Sequence, residues 1–195
     1  MHIIRVIAGQ ARGMKLKTPK GMNTRPTVDR VKESLFNIIQ PYLHGSKVLD
    51  LFSGTGALAI EALSRGAISA VLADADRLSC EVIRDNLAHT GLKEKAMVYC
   101  RKASAVVLDL GQNGDQFDIV FMDPPYTQNF IQETLQLLVD NDIIVDGGMV
   151  VAEHHRQESV PEVLGCLVKA RTQAYGDTCI SIFVRESSAD IPAEP

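Results

Sequence analysis

Residues 47–59 read Lys47-Val48-Leu49-Asp50-Leu51-Phe52-Ser53-Gly54-Thr55-Gly56-Ala57-Leu58-Ala59: an apolar stretch, a glycine turn, and then a helical pattern. The pattern predicts a short strand over Lys47–Asp50, a turn on Gly54 and Gly56, and a helix from about Ala57 to Arg65 capped by Gly66. A strand that turns on glycines into a helix lets backbone amides approach a nucleotide-like ligand. Gly54-x-Gly56-x-x-Ala59 fits a dinucleotide fingerprint, and Asp74, 20 residues beyond Gly54, stands where a ribose-binding acid belongs. Asp50 discriminates between ligands. A carboxylate at the strand's end repels the pyrophosphate of NAD but favours the ammonium and sulfonium of S-adenosylmethionine. Asp50, Gly54, Gly56 and Asp74 are therefore the candidate cofactor residues, with NAD as the competitor.

Outward from this stretch, strands and helices alternate. Before it, a helix is signalled after Pro26, with Thr27 as candidate N-cap, Pro41 as far limit, and Val31, Leu35, Ile38 and Ile39 on one face. After it come a strand over Ala67–Ala73 ending at Asp74 and a helix to about Thr90 capped by Gly91. Strands follow at Ala96–Cys100 and Phe117–Met122, then a helix at Phe130–Val139 and strands at Met149–Ala152 and Ile180–Val184. Such alternation with strongly apolar strands predicts an α/β layered fold on a mainly parallel sheet. Residues 186–195 are polar and proline-containing and are expected to fray.

The chain has 195 residues, 46% hydrophobic and 23% charged, which suits one globular domain. No apolar run approaches a membrane span. Cys80, Cys100, Cys166 and Cys179 lie far apart without a CxxC, so they read as reduced core thiols of a cytoplasmic protein. Charge is uneven. Residues 1–32 carry Arg5, Arg12, Lys15, Lys17, Lys20, Arg25, Arg30 and Lys32 against Asp29 alone, a net of +7, and the remainder carries −11. A basic arm on an acidic body is a plausible phosphate-binding device; a solvated positive surface is the alternative. Alternation at Ile3, Arg5 and Ile7, with turn residues Gly9, Gly13, Pro19 and Gly21, predicts a short strand or hairpin that docks rather than a loose tail.

Asp123-Pro124-Pro125-Tyr126 follows the strand Phe117–Met122, at the carboxyl edge where open α/β sheets gather reacting groups. Two prolines fix the backbone and remove two amide donors, leaving the Pro124 carbonyl and the Asp123 carboxylate as rigid acceptors. Together they can grip both N–H groups of an exocyclic amine and stabilise the positive charge that grows as it attacks a methyl. Tyr126 offers a face for a base to stack on, worth roughly 1–3 kcal/mol.

An Asp-Pro-Pro-Tyr after a central strand resembles the signature of amino-group methyltransferases of nucleic-acid bases. Residues 25–36 (Arg-Pro-Thr-Val-Asp-Arg-Val-Lys-Glu-Ser-Leu-Phe), 49–56 (Leu-Asp-Leu-Phe-Ser-Gly-Thr-Gly), 61–67 (Glu-Ala-Leu-Ser-Arg-Gly-Ala) and 175–178 (Tyr-Gly-Asp-Thr) narrow the likeness. Together they resemble the bacterial 16S ribosomal RNA guanine-N2 methyltransferase family, of the small-subunit methyltransferase D type, from about Arg5 to Val184. The resemblance implies a Rossmann-like S-adenosylmethionine-dependent methyltransferase fold: a mainly parallel seven-stranded sheet with an antiparallel last strand, plus a basic N-terminal β arm. It divides the chain into an arm (1–24), a methyltransferase domain (25–185) and a tail (186–195). It implies S-adenosylmethionine as donor, S-adenosylhomocysteine as product, and 16S RNA of the assembled or assembling small subunit as partner; the residue spacings predict no metal, and a small catalytic domain with its own RNA arm is expected to act as a monomer. Asp50, Phe52, Gly54, Gly56, Asp74, Ala75 and Ala103 would line the cofactor. Asp123, Pro124 and Tyr126 would be catalytic, and Arg5, Arg12, Arg25, Thr27, Pro125 and Tyr126 would meet the RNA.

One position departs from the pattern. Related enzymes often hold the adenine amine with Asp or Asn after the third strand, where this chain has Lys102, which cannot accept a hydrogen bond. Backbone groups near Lys102 and Ala103 or the Ser104 hydroxyl would take its place. His154-His155 lacks partners at a metal-ligand spacing. Lys32 and Glu33 read as a solvated helix face, with a family-based chance of an active-site role for Glu33.

Overall fold

The structure, a computed structural model, describes residues 4–18, 27–124 and 130–186, the side chains of residues 27–29 excepted. The chain divides into two compact units, Met1–Ala103 and Ser104–Pro195.

In the first unit, helix α1 (Thr27–Leu43) precedes β1 (Lys47–Leu51), α2 (Ala57–Ser64), β2 (Ser69–Asp74), α3 (Arg77–His89) and β3 (Ala96–Cys100). The three strands are parallel in the order β3-β2-β1, with Asp50 opposite Leu72 and Asp74 opposite Cys100. Parallel pairing demands crossovers, and α2 and α3 supply them. Their apolar faces (Ile60 and Leu63; Ile83 and Leu87) are buried, as are Val48, Leu49 and Leu72. The expected strand over Ala67–Ala73 begins two residues later, at Ser69. Pro41 does not end α1: the helix runs on to Leu43, which is fully buried one turn after buried Ile39, so burial of that face overrides the missing amide.

Ahead of α1 the basic arm forms a small hairpin. Arg5 bridges Lys15, the Val6 amide donates to the Met14 carbonyl at 3.0 Å, and the Leu16 amide donates to the Ile4 carbonyl at 2.8 Å. Ile4, Val6 and Leu16 are buried while Arg5, Lys15 and Lys17 are exposed, so the alternation divides an apolar from a basic face. The expected docking is present, and its partner is α2 of the same unit. Gly9 (φ +82°) lies so close to it that a Cβ would stand 1.8 Å from the Ser64 carbonyl oxygen.

The second unit holds α4 (Ala103–Gln112), β4 (Phe117–Met122), α5 (Phe130–Asp140), β5 (Ile144–His155), β6 (Val163–Leu164), β7 (Leu167–Tyr175) and β8 (Thr178–Arg185). Its strand order is β4-β5-β8-β7-β6, with β4 and β5 parallel and β8 antiparallel to both β5 and β7. The parallel strands with an antiparallel final strand agree with expectation. Eight strands rather than seven occur among the described residues, because two-residue β6 is added. Helix α4 and strand β7 went unread in the sequence. In α4 the apolar face (Val106, Val107, Leu110) is short and β-branched, and in β7 only Leu167 is buried, so neither shows a clean period. β5 extends well past Met149–Ala152 because β8 pairs with it as far as His155.

Candidate functional site

The turn after β1 is built around two carboxylates. Asp50 ends the apolar run of β1 only 2% exposed, and its Oδ2 accepts from the Ala59 amide in the first turn of α2 at 3.2 Å. The N-cap residue of α2 is Gly56, which has no side chain to cap it, and Asp50 meets the helix N-terminus in its place. Burial pushes its carboxyl up to about 7; the Ala59 amide opposes that rise and the nearby Asp74 charge adds to it. A bound ammonium or sulfonium would supply such a carboxylate with a cation.

Asp74, at the end of β2, is half-buried. Its Oδ2 accepts from the Gly54 amide at 2.8 Å and its Oδ1 from the Asp76 amide at 2.8 Å. It thus joins the glycine turn to the start of α3, where Asp76 caps the helix through the Ser79 amide. Each carboxylate oxygen keeps a lone pair for a ribose hydroxyl. Gly56 has φ +76°, and a Cβ there would press on Leu72 at 3.2 Å and on Ile60 and Ile83 at 3.4 Å. Phe52 adopts φ +63°, a costly conformation without glycine, and so lies on a strained turn at the candidate ligand. Ala75 is exposed beside Asp74, and Ala103 opens α4 behind exposed Lys102. The first unit brings together Asp50, Phe52, Gly54, Gly56 and Asp74. These residues fit a cationic donor with a ribose and fit a pyrophosphate poorly.

In the second unit, β4 delivers Asp123 exposed at its carboxyl end, followed by buried Pro124. Pro125, Tyr126 and Arg25 lie outside the described residues, as does the side chain of Thr27. Arg5 and Arg12 are exposed on the arm.

Three expectations need correction. Lys32 is not on a solvated face: it is 3% exposed, donates to the Arg5 carbonyl at 2.6 Å, and pairs with Glu61 at 3.3 Å. Glu33, the next residue, is exposed. Cys100 is not a core thiol but exposed, and Cys166 is only half-buried; Cys80 and Cys179 are buried. Burial pushes the Cys80 thiol up to about 12. His154 is a core histidine whose Nε2 meets Ser181 Oγ at 2.9 Å. Among the described residues, no three His, Cys, Asp or Glu side chains come together as a metal group.

The sequence reading missed Glu61. Fully buried in α2, it accepts from the Ile7 and Ala8 amides at 2.8 and 3.0 Å and from Arg65 Nε at 2.8 Å. A lone acid in the otherwise apolar Ala-Leu-Ala-Ile-Glu-Ala-Leu was the available signal. Ser64, one turn on, donates to the Ala8 carbonyl and accepts from the Ala11 amide.

Comparison with known proteins agrees with these features. Residues 4–184 match the family described as conserved hypothetical protein 95. The ribosomal RNA small subunit methyltransferase D of Escherichia coli (strain K12) is 35% identical over 191 residues, covering 98% of this chain and 94% of that protein. The solved structure of yhhF from Escherichia coli, provisionally described as a methyltransferase, superposes with a TM-score of 0.83 at 36% identity, covering 96% of this chain and all of that one. A SAM-dependent methyltransferase from Agrobacterium tumefaciens shares the fold alone, with a TM-score of 0.63 at 17% identity over 84% of this chain and 63% of that one. On the glycine turn between two carboxylates, the aspartate–proline step after β4 and these similarities, the chain belongs to the ribosomal RNA small subunit methyltransferase D family.

Proposed function

We propose that this protein transfers a methyl group from S-adenosylmethionine to the exocyclic N2 amine of a guanine in 16S ribosomal RNA of the small subunit. The observation that carries the reading is Asp123–Pro124 at the carboxyl end of β4, in a chain whose β1 turn sets buried Asp50 beside Asp74. When bound, the donor supplies an electrophilic methyl on a sulfonium. Asp50 would balance its positive charge, the glycine turn would let the backbone come close to its methionine part, and Asp74 would accept from the ribose hydroxyls. The Lys102 position gains a candidate answer, because α4 starts at Ala103 and its first-turn amides lack intrahelical acceptors.

The acceptor side follows from chemistry. The N2 lone pair of guanine is delocalised into the ring, so the amine needs both orientation and charge relief. Asp123 and the Pro124 carbonyl accept its two N–H groups, and Tyr126 stacks on the base after it leaves its own stack. Nitrogen would then displace sulfur in line: the N–C bond would form as the C–S bond breaks, the bonding pair would leave with S-adenosylhomocysteine, and the amine would lose one proton to solvent. The exposed cations Arg5, Arg12, Lys15 and Lys17, with Lys20 and Arg25 beyond them in the sequence, would meet the phosphates.

Radiolabelled S-adenosylmethionine offered with undermethylated small subunits, naked 16S RNA and duplex DNA tests the reading. Label on N2-methylguanosine, strongest in the particle, is the expected result. Asp123→Ala should cut transfer about 10²–10³-fold while leaving RNA affinity within about twofold. Label on N6-methyladenine in DNA would replace the substrate and keep the chemistry.

A further inference from the structure

The carboxamide of Asn86 sits fully buried in α3 and has three partners. Its Oδ1 accepts from the Lys17 amide at 2.8 Å, and its Nδ2 donates to the Lys17 carbonyl at 3.1 Å and the Thr55 carbonyl at 2.9 Å. Lys17 belongs to the second leg of the basic arm, and Thr55 lies between Gly54 and Gly56. One side chain therefore spans from the arm to the middle of the glycine turn.

We propose that Asn86 is a positioning residue for the methyl donor. It holds the Thr55 carbonyl, and with it the turn whose Gly54 amide donates to Asp74 and whose Gly56 amide donates to the Ser53 carbonyl at 2.7 Å, against a fixed point supplied by the arm's backbone. This role rests on the donor site proposed above. The chemistry is specific to a carboxamide, which offers one acceptor for the Lys17 amide and two donors for two carbonyls. An aspartate would keep the first bond and set a carboxylate against both carbonyls. Aspartate at Asp74 anchors the same turn through the Gly54 amide, so the turn is held from its donor side by Asp74 and from its acceptor side by Asn86. The arm then has two separable tasks. Its exposed cations serve RNA phosphates, and its backbone at Lys17 buttresses the cofactor turn. The Lys17 side chain points elsewhere, to Asp85 at 2.8 Å in an exposed ion pair.

Three variants distinguish these tasks when S-adenosylhomocysteine binding is measured by calorimetry beside thermal melting. Asn86→Leu removes all three bonds. Lys17→Pro removes the amide that Asn86 Oδ1 accepts and, with the side chain, the ion pair to Asp85, in a segment whose preceding residue is already extended through the Leu16–Ile4 pairing. Asp85→Ala breaks the surface ion pair and nothing else. Asn86→Leu and Lys17→Pro should weaken S-adenosylhomocysteine about tenfold or more, the scale of one buried hydrogen bond. In turnover they should raise KM for S-adenosylmethionine with kcat retained at saturating donor. Asp85→Ala should bind as the wild type does. A folded Asn86→Leu with wild-type affinity overturns the proposal; if that variant fails to fold, wild-type affinity in Lys17→Pro overturns it instead. Wild-type protein that binds no S-adenosylhomocysteine sinks the donor site itself, whereas intact wild-type binding with unaffected variants sinks only the role of Asn86.

Discussion

At the scale of single residues, Asp50 makes the chain pH-sensitive. In the fold its carboxyl titrates near 7 rather than at its ordinary 3.8, because burial disfavours the charge. Between those values the folded state holds a proton that the unfolded state has already released. Stability from this group is therefore highest below about pH 4 and falls as pH rises to about 7. The full cost above pH 7 is about 4 kcal/mol. Asp50→Asn should erase this slope and be more stable than wild type in alkaline urea melts of the ligand-free protein. Donor binding should show the opposite preference, since only the ionised carboxylate attracts the ammonium or sulfonium. S-adenosylmethionine affinity measured by calorimetry should weaken by up to about tenfold per pH unit below 7. Affinity that stays flat between pH 5.5 and 8 would remove Asp50 from the donor site.

At the scale of elements, the question is what ties a short hairpin to a helix. Ile4, Val6, Ala11 and Leu16 bury its apolar side, but polar groups set its register. Glu61 takes the Ile7 and Ala8 amides and faces Lys32 and Arg65, and Arg65 in turn lies 5.0 Å over the Phe36 ring. A buried carboxylate of this kind is hard to remove, because its loss strands two buried cations and two amides. Glu61→Ala should cost about 3–5 kcal/mol in urea unfolding, well beyond an ordinary surface substitution. A cost below 1 kcal/mol would mean that the apolar face alone docks the arm. The sequence showed the hairpin and that it docks, yet it hid the partner: Glu61 stands out as a lone acid in an apolar helix, but nothing local ties it to Lys32, which lies far away in the chain and looks like an ordinary surface charge.

At the scale of the whole molecule, charge is the relevant property. The net of −4 conceals a +7 arm, although Lys32 has to be subtracted from the cations that can reach a phosphate, being buried against Glu61. Arg5, Lys15 and Lys17 instead share the exposed side of the hairpin, with Arg12 near its tip. If about five arm cations meet phosphates, log affinity for single-stranded 16S RNA should fall with log salt at a slope of about −3.5. A filter-binding titration between 50 and 300 mM salt would measure it; a slope near zero would show that the arm's cations do not carry RNA affinity.

The linear sequence determined the features that local chemistry can dictate. The glycine turn follows from Gly54 and Gly56 after an apolar run, because only glycine tolerates the φ required there beside Leu72. The parallel strands follow from continuous apolar stretches, and the Asp123–Pro124 step follows from two adjacent prolines. Tertiary structure alone decided the rest. Strand β7 exists because β8 pairs with it, α1 passes Pro41 because Leu43 has a buried place to go, and β5 runs to His155 because β8 lies beside it. Above all, tertiary structure put Asn86 between Lys17 and Thr55, and Lys32 and Glu61 behind the hairpin. Those contacts join residues tens of positions apart, and no local propensity or period records a hydrogen bond whose partners meet only when the chain is folded.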